Sequence, residues 1–441
     1  MRKTMTREEL GKAVGSGEID TVLAVMPDLY GRLLGKRLTG HYFLEHVIGD
    51  GMHVCDYLLA CDIEMDPVPG YAFTNWERGY GDLHVQPDLN TLRRAAWLDK
   101  TAIVLCDSPA SIAPRTMLQA QIAMLKSRGL TAMGGTEIEL YVFDESYEAL
   151  REKHYASPKT AGRYIEDYHI FQGTKEEALI GAIRRALDAS EVPIESSKGE
   201  WGPGQQEINL LFCEALEQAD RNALYKHAAK EIAWQQGKAV TFMAKWDETL
   251  AGSSMHVHLS LWREDGTNAF SDEAFFLHFL GGMMHHARAI TAFFAPNVAS
   301  YKRYQAGSFA PTSIAWCRDN RTAGFRVVGS GKSLRIECRI PGADANPYLV
   351  YAALIAAGLD GVDNQISPPP LFEGDVYEAN NLPRVPAYLR EAIHEFEKSD
   401  FPARAFGPEI VTHYSHFWRT EQRKFDEVVT DWEKKRFFER I

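Results

Sequence analysis

Four short segments of the chain set an apolar strand face against a face of acids, histidines and arginines. In GTEIELYVFD, Glu137 and Glu139 stand two residues apart while Ile138, Leu140 and Val142 take the opposite side, because side chains at i and i+2 of a strand share a face. QQEINLLF sets Glu207 against Ile208 and Leu210, with Glu200 just upstream in the turn-rich GEWGPGQ. SSMHVHLSLW aligns His256, His258 and Ser260 opposite Met255, Val257 and Leu259. SLRIECRIPG aligns Arg335, Glu337 and Arg339 opposite Ile336, Cys338 and Ile340.

Taken singly, each pattern has an ordinary reading: a solvated glutamate pair, a structural His-x-His, a cross-strand ion-pair ladder. Taken together, they describe one sheet on which five glutamates and a histidine converge. Carboxylates packed that closely need cations. A ligand set of glutamates with a single imidazole is hard oxygen chemistry, which suits Mg²⁺ or Mn²⁺ better than zinc. Arginines beside such metals bind phosphate oxygens bidentately. Metal plus arginine is the equipment of phosphoryl transfer. GSGKS at Gly329–Ser333 resembles the end of a phosphate-binding loop, but Arg326 stands where the motif needs glycine, and SLRIECRI alternates like a strand instead of opening a helix.

These strands need a large scaffold. The chain has 441 residues, enough for two domains, and its 45% apolar content supports an extensive core. A net charge of −12 argues against nucleic acid as a main partner. No stretch approaches the ~18–20 apolar residues of a bilayer span. The charged, helix-like start MRKTMTREELGKAVGSGEID has no apolar signal region, so a cytoplasmic location is expected. The cysteines at 55, 61, 106, 213, 317 and 338 form no CxxC pair and read as reduced thiols.

Residues 1 to about 105 read as a small sheet with one or two helices: strand, turn at Tyr30-Gly31, strand, then a helical HYFLEHVIGDG, a strand-like HVCDYLLACDIEMD and a strand KTAIVLCDSP. Beyond Pro109 and Pro114 the pattern changes. Helices are expected at about 114–128, 220–236 and 347–361, and QISPPPLFEGD reads as a proline-rich loop. The tail from Arg390 reads as several helices on the outside.

The motifs TEIELYVFD, GPGQQEI, MHVHLS, SYKR, NRTAGFR and RIECRIPGADANPYL occur in an order and spacing that resemble the glutamine synthetase family, and LYGRLLGKRL extends the likeness towards the N-terminus. The resemblance implies an α+β fold: an N-terminal β-grasp domain over residues 1–108 and a catalytic domain over 109–441 built on a curved antiparallel sheet. By motif position, Glu139, Glu200 and Glu207 look like ligands of one divalent metal, and Glu137, His256 and Glu337 like ligands of a second. Arg303, Arg321 and Arg339 are similar to the arginines that hold the glutamate carboxylate and the transferring phosphate. Gly252 resembles the glycine loop at glutamate's α-carboxylate. His258, Ser260, Lys332 and Arg335 resemble nucleotide and phosphate contacts, and Arg326 another arginine near the phosphates. The implied chemistry is phosphorylation of glutamate's γ-carboxylate by ATP, then attack of an amine on γ-glutamyl phosphate. Relatives of this kind form rings, so the resemblance implies a homo-oligomer, a double ring with a dodecamer as the expectation. Each active site would lie between subunits, bringing Asp56 and the Trp76 region to a neighbour's catalytic strands.

The chain departs from the family pattern at the nucleophile. Where ammonia-using members carry a loop glutamate that helps hold and deprotonate ammonium, the position falls on Phe309 in YKRYQAGSFAP. Ala251 replaces an asparagine that touches glutamate, and Asp56 is the remnant of an altered N-terminal motif. The metal set is intact while the ammonium set is eroded. That points to a ligase joining glutamate to an organic amine, a γ-glutamylamide synthetase. The alternatives are a glutamine synthetase with an altered loop and a non-catalytic ring-forming relative. A long polyamine would want a second acidic site, and none is legible, so a small monoamine is favoured.

Overall fold

The computed structural model describes residues 4–441. The N-terminal part folds around a sheet of six strands: β1 (Thr21–Pro27), β2 (Leu33–Thr39), β3 (Met52–Cys55), β4 (Asp82–Pro87), β5 (Arg93–Arg94) and β6 (Thr101–Asp107). β1 and β2 form a hairpin whose turn is tied by Asp28. Its carboxylate accepts from the backbone N–H of Tyr30 at 3.0 Å and of Arg32 at 2.8 Å, and Gly31 takes the positive φ the turn requires. A helical stretch over residues 40–50 then leads to β3. The last strand, β6, inserts parallel to β1, giving the order β2-β1-β6-β4-β3 with β5 on β6. β1 and β6 are apolar on both faces because both faces are covered. A hairpin, a helix and a later strand inserted parallel beside it fit the expected β-grasp unit.

The second sheet has eight strands: β7 (Leu130–Phe143), β8 (Ile194–Gly199), β9 (Gln205–Glu214), β10 (Ala239–Thr241), β11 (Met255–Arg263), β12 (Trp316–Arg318), β13 (Phe325–Val328) and β14 (Arg335–Cys338). Their order is β12-β13-β14-β11-β7-β9-β8, with β10 on the end of β7. Every pairing is antiparallel except β12 with β13. Helix Ala215–Gln235 backs this sheet, Pro347–Asp363 packs on that helix and reaches β7 through the Tyr351 hydroxyl on the Gly135 carbonyl, and Glu273–Phe294 packs on Pro347–Asp363. The Pro347–Asp363 helix is buried nearly all round, which is why its sequence shows no polar stripe. GSGKS forms a tight turn at Gly331–Ser333 before β14, with no helix after the lysine.

Two expectations need correction. HVCDYLLACDIEMD is a strand only over Met52–Cys55; Asp56–Leu59 coils into a 3₁₀ turn. Asp56 is drawn inward there, accepting from the Thr74 hydroxyl at 2.6 Å and the Gly81 N–H at 3.2 Å. The tail is helical as expected, but Pro408–Asp426 is not merely external. It buries Ile410, Tyr414, Phe417 and Trp418. It also grips the N-terminal part: Glu421 accepts from the Tyr30 hydroxyl at 2.7 Å, and Lys424 pairs with Asp62.

The two sheets are joined through Arg115, in the Pro114–Lys126 helix between them. Its guanidinium meets Asp220 with Nε at 3.0 Å and Nη2 at 2.9 Å, reaches Asp88 at 2.8 Å and pairs with Asp107. Asp220 also accepts from the Tyr348 hydroxyl at 2.7 Å. Burial raises the Asp220 pKa, and the Arg115 charge opposes it. Removing the cation would strand a buried carboxylate, at a cost of about 3–5 kcal/mol. Arg115→Met is therefore expected to lose several kcal/mol in urea-denaturation equilibria; a loss below about 1 kcal/mol would show that the cluster is not what holds the sheets together.

Candidate active site

Strand register assembles the site. Within the second sheet, Glu139 of β7 lies directly opposite Glu207 of β9, and Glu207 lies opposite Lys198 of β8. One step along, Glu137 is flanked by Asn209 on β9 and His256 on β11. On the far side, His258 of β11 faces Glu337 of β14, which faces Arg326 of β13. Period-2 alternation in each strand then stacks these rows on one face of the sheet.

The side chains meet as the register dictates. Glu137 bridges both histidines, with His256 Nδ1 at 3.3 Å and His258 Nε2 at 3.0 Å. Glu337 is fully buried and pinned by Arg326 Nη1 at 2.9 Å and by Arg339 Nη1. Glu139 accepts from the Ser254 N–H at 2.9 Å, the Ser254 hydroxyl and the Gln205 amide at 3.1 Å. Two sets place their ligand atoms within 4.8 Å of one another: Glu137, His256 and Glu337, and Glu139, Glu207 and His256. The first is the expected trio. The second has His256 where the sequence suggested Glu200, because the Glu200 carboxylate is turned towards Lys198.

Glu137, Glu139, Glu207 and His256 line a cleft of about 1310 Å³ together with Glu200, Gly252, Arg303, Phe309, Arg321, Arg326 and Arg339, while Glu337 is buried beneath its wall. A Cβ on Gly252 would come within 2.7 Å of both the Ala244 carbonyl oxygen and the Arg303 side chain, so only glycine fits. Arg303 is buried and donates to the Ile340 carbonyl at 2.8 Å and the Arg339 carbonyl at 3.0 Å. The Arg339 Nε is buried without a partner, an N–H left to meet something in the cleft. Phe309 is 53% exposed on the cleft wall and takes a φ of +57°.

Other expected residues fall outside this wall. His258 and Arg335 lie off its lining, with Arg335 Nε 3.2 Å from His258 Nδ1. Ser260 accepts from the Trp262 indole at 3.0 Å, and Lys332 is exposed on its turn. Asp56 lies in the first sheet, on Thr74 and Gly81, away from the cleft of its own chain.

Residues 111–437 match the family model described as glutamine synthetase, catalytic domain. The chain belongs to the glutamine synthetase family. It is 44% identical over 444 residues to a gamma-glutamylethanolamide synthetase of Streptomyces coelicolor, covering 98% of this chain and 96% of the relative. It is 34% identical over 439 residues to a glutamate–isopropylamine ligase of a Pseudomonas species, covering 96% of each. A solved structure described as GmaS without ligand superposes with a TM-score of 0.85 at 26% identity, covering 98% of this chain and 99% of that one.

The glutamine synthetase resemblance did not point to every polar group that shapes this cleft. Glu166 is buried behind the GPGQ turn. It accepts from the Gly204 N–H at 3.1 Å and the Gln206 amide at 2.7 Å, so it steadies the turn between Glu200 and Glu207. Its segment has no strand or helix pattern to flag it. Phe212 stands out of a bulge where β7 and β9 lose register, beside Gly135, and is exposed.

The electrostatics divide the carboxylates. Burial, then the Glu200 charge, push Glu139 up to about 7. Burial, then the Glu137 and Glu200 charges, push Glu207 up to about 9 against the pull of Lys198. Burial would also raise Glu137, but hydrogen bonds from His256 and His258 overcome it and hold the carboxyl far below its usual range. Burial and the Arg339 charge press His256 down to about 4, leaving a neutral imidazole suited to metal. A carboxyl whose folded pKa exceeds its unfolded value binds its proton more tightly when folded, so stability declines as pH rises from the unfolded value through the folded one. For Glu207 that window runs from about 4.5 to about 9. Glu207→Gln should therefore melt higher than the parent at pH 9 in metal-free buffer, with little difference at pH 5. Equal or lower melting of the variant at pH 9 would contradict the assignment.

Proposed function

We propose that this chain is an ATP-dependent ligase that joins the γ-carboxylate of glutamate to a primary organic amine through γ-glutamyl phosphate. The observation that carries the reading is Phe309. A half-exposed aromatic ring occupies the cleft wall where an acid would serve ammonia. Relatives named for ethanolamide and isopropylamine products agree with it.

Two divalent cations, Mg²⁺ or Mn²⁺, would be held by Glu137, His256 and Glu337 and by Glu139, Glu200 and Glu207. The donor set fits hard cations: carboxylates and one neutral imidazole, with Glu139 and Glu207 in need of a counter-charge. When bound, these cations would draw charge from the phosphoryl group in transfer. Arg339 and Arg321 would bind phosphate or carboxylate oxygens from the cleft wall, and the unpartnered Arg339 Nε supports that role. Gly252 would let glutamate's α-carboxylate lie against the backbone, beside Arg303. His258, Ser260, Lys332 and Arg335 would take the nucleotide end, with Arg326 nearer the phosphates.

In the first step a γ-carboxylate oxygen of glutamate bonds to the γ-phosphorus of ATP and ADP leaves. In the second the amine nitrogen bonds to the acyl carbon, phosphate leaves, and the nitrogen gives up a proton. The same reading divides the chain at residues 108 and 109 and has the N-terminal unit close a neighbour's cleft in a dodecameric double ring. That would give Asp56 and Trp76, both outside their own cleft, a place at the partner's site. A cytoplasmic location belongs to this reading; no helix among the described residues is long and apolar enough to cross a membrane.

Apolar surface at Phe309 rewards a carbon chain by about 0.8 kcal/mol per buried CH₂, a gain closed to ammonia. At fixed glutamate and ATP, kcat/KM for methylamine, ethanolamine or isopropylamine is expected to exceed that for ammonia. Phe309→Glu should shift preference back towards ammonia. If ammonia matches or beats every amine, the enzyme is a glutamine synthetase; if Phe309→Glu changes nothing, Phe309 is not at the nucleophile.

A further inference from the structure

The cleft lacks an acid at position 309 and holds a lysine ammonium. Lys198, on the edge strand β8, turns its ammonium into the cleft instead of out to solvent. Its Nζ lies against the Glu200 carboxylate, 3.3 Å from Asp167 Oδ1 and 3.5 Å from the Gly199 carbonyl. The face of the Tyr168 ring covers it, with the centroid 4.5 Å away. Glu207 stands opposite Lys198 in the strand pairing and adds a third carboxylate at longer range. Asp167, Tyr168, Lys198, Gly199 and Glu200 all line the cleft.

Two carboxylates, a carbonyl and an aromatic face form a receptor for a small primary ammonium ion. The group seated there has the same functional head as the proposed substrate. An ordinary surface ion pair would not look like this, since only 20% of the Lys198 side chain is exposed and its donors are shared among several acceptors. Charge bookkeeping agrees. Without Lys198, Glu200 and Asp167 would lose the ammonium they share.

We propose that Lys198 is a resident ammonium: it fills a cation nest in this cleft that free ammonium would otherwise occupy, and so disfavours ammonia as nucleophile. This rests on the amine-ligase reading above. A tethered ammonium sits at an effective concentration of about millimolar or higher, so free ammonium must displace it before it can occupy the nest. A larger amine has a second source of binding, its carbon chain against the apolar wall at Phe309, and does not depend on the nest. Tyr168 and Trp201, 68% and 54% exposed, add aromatic surface to the lining of the same cleft.

The test is Lys198→Met, which keeps an apolar stem and empties the nest, with Lys198→Gln as a polar companion of similar length. In both, the ratio of kcat/KM for ammonia to that for the best primary amine should rise about tenfold or more over the parent. Independently of turnover, ammonium chloride should raise the melting temperature of Lys198→Met more than sodium chloride at equal ionic strength, and the parent should show no such difference. A parent that prefers amines, with folded variants whose ratio is unchanged and which do not respond to ammonium, overturns the role of Lys198. A parent that already prefers ammonia overturns the ligase reading instead, so the two failures are distinct. Failure of Lys198→Met to fold leaves Lys198→Gln to decide by the same ratio.

Discussion

Buried carboxylates facing one another across hydrogen-bonded strands set the terms for the rest of the molecule. Glu139 opposite Glu207, one step from Glu137, is an arrangement in which like charges are held together by backbone register. Side-chain rotation relieves little of it, because moving any strand by one residue would turn its apolar face to the cleft. The charge is therefore compensated from outside the row. His256 and His258 share Glu137, Arg326 and Arg339 share Glu337, and Lys198 takes Glu200. Glu139 and Glu207 receive no full counter-ion, and burial with neighbouring negative charge pushes their carboxyls up to about 7 and about 9. A site with three partnered carboxylates and two whose proton affinity is raised would exchange protons for metal.

The scaffold exists to hold that register. β7 is the longest strand and pairs on both sides, with β11 and β9, so the two halves of the site are referenced to one backbone. Behind it, helices Ala215–Gln235 and Pro347–Asp363 are locked through Asp220, Tyr348 and Arg115 to the N-terminal sheet. The carboxyl-terminal helix Pro408–Asp426 clamps the same sheet from the outside. A shift in the N-terminal part would thus be felt at the catalytic strands through buried charge, which is costly to displace.

The strand faces were legible because a period of two writes itself into sequence: Glu137 with Glu139, His256 with His258, and Arg335, Glu337 and Arg339 each lie on one face. Three of the longer helices were legible, to within about five residues at each end, but Glu273–Phe294, the longest, was not named. β4 and β8 were not, since Asp82–Pro87 and IESSKG are short and polar and take their form from neighbouring strands. Asp56 ended a strand early because its partners, Thr74 and Gly81, are distant in sequence. Lys198 and Glu166 escaped notice for the same reason. A lysine two residues before a glutamate looks like a solvated pair until the fold brings Asp167 and Tyr168 over it. Glu200 stands in the expected segment, and its carboxylate pairs with Lys198.

The central claim is that Glu139 and Glu207 keep protons only until divalent cations replace them. Calorimetric titration of Mn²⁺ into metal-free protein at pH 7, in two buffers of different ionisation enthalpy, measures that exchange directly. The account predicts saturable binding with net release of protons, and less release in Glu207→Gln. Binding without proton release, or release undiminished in Glu207→Gln, would contradict it.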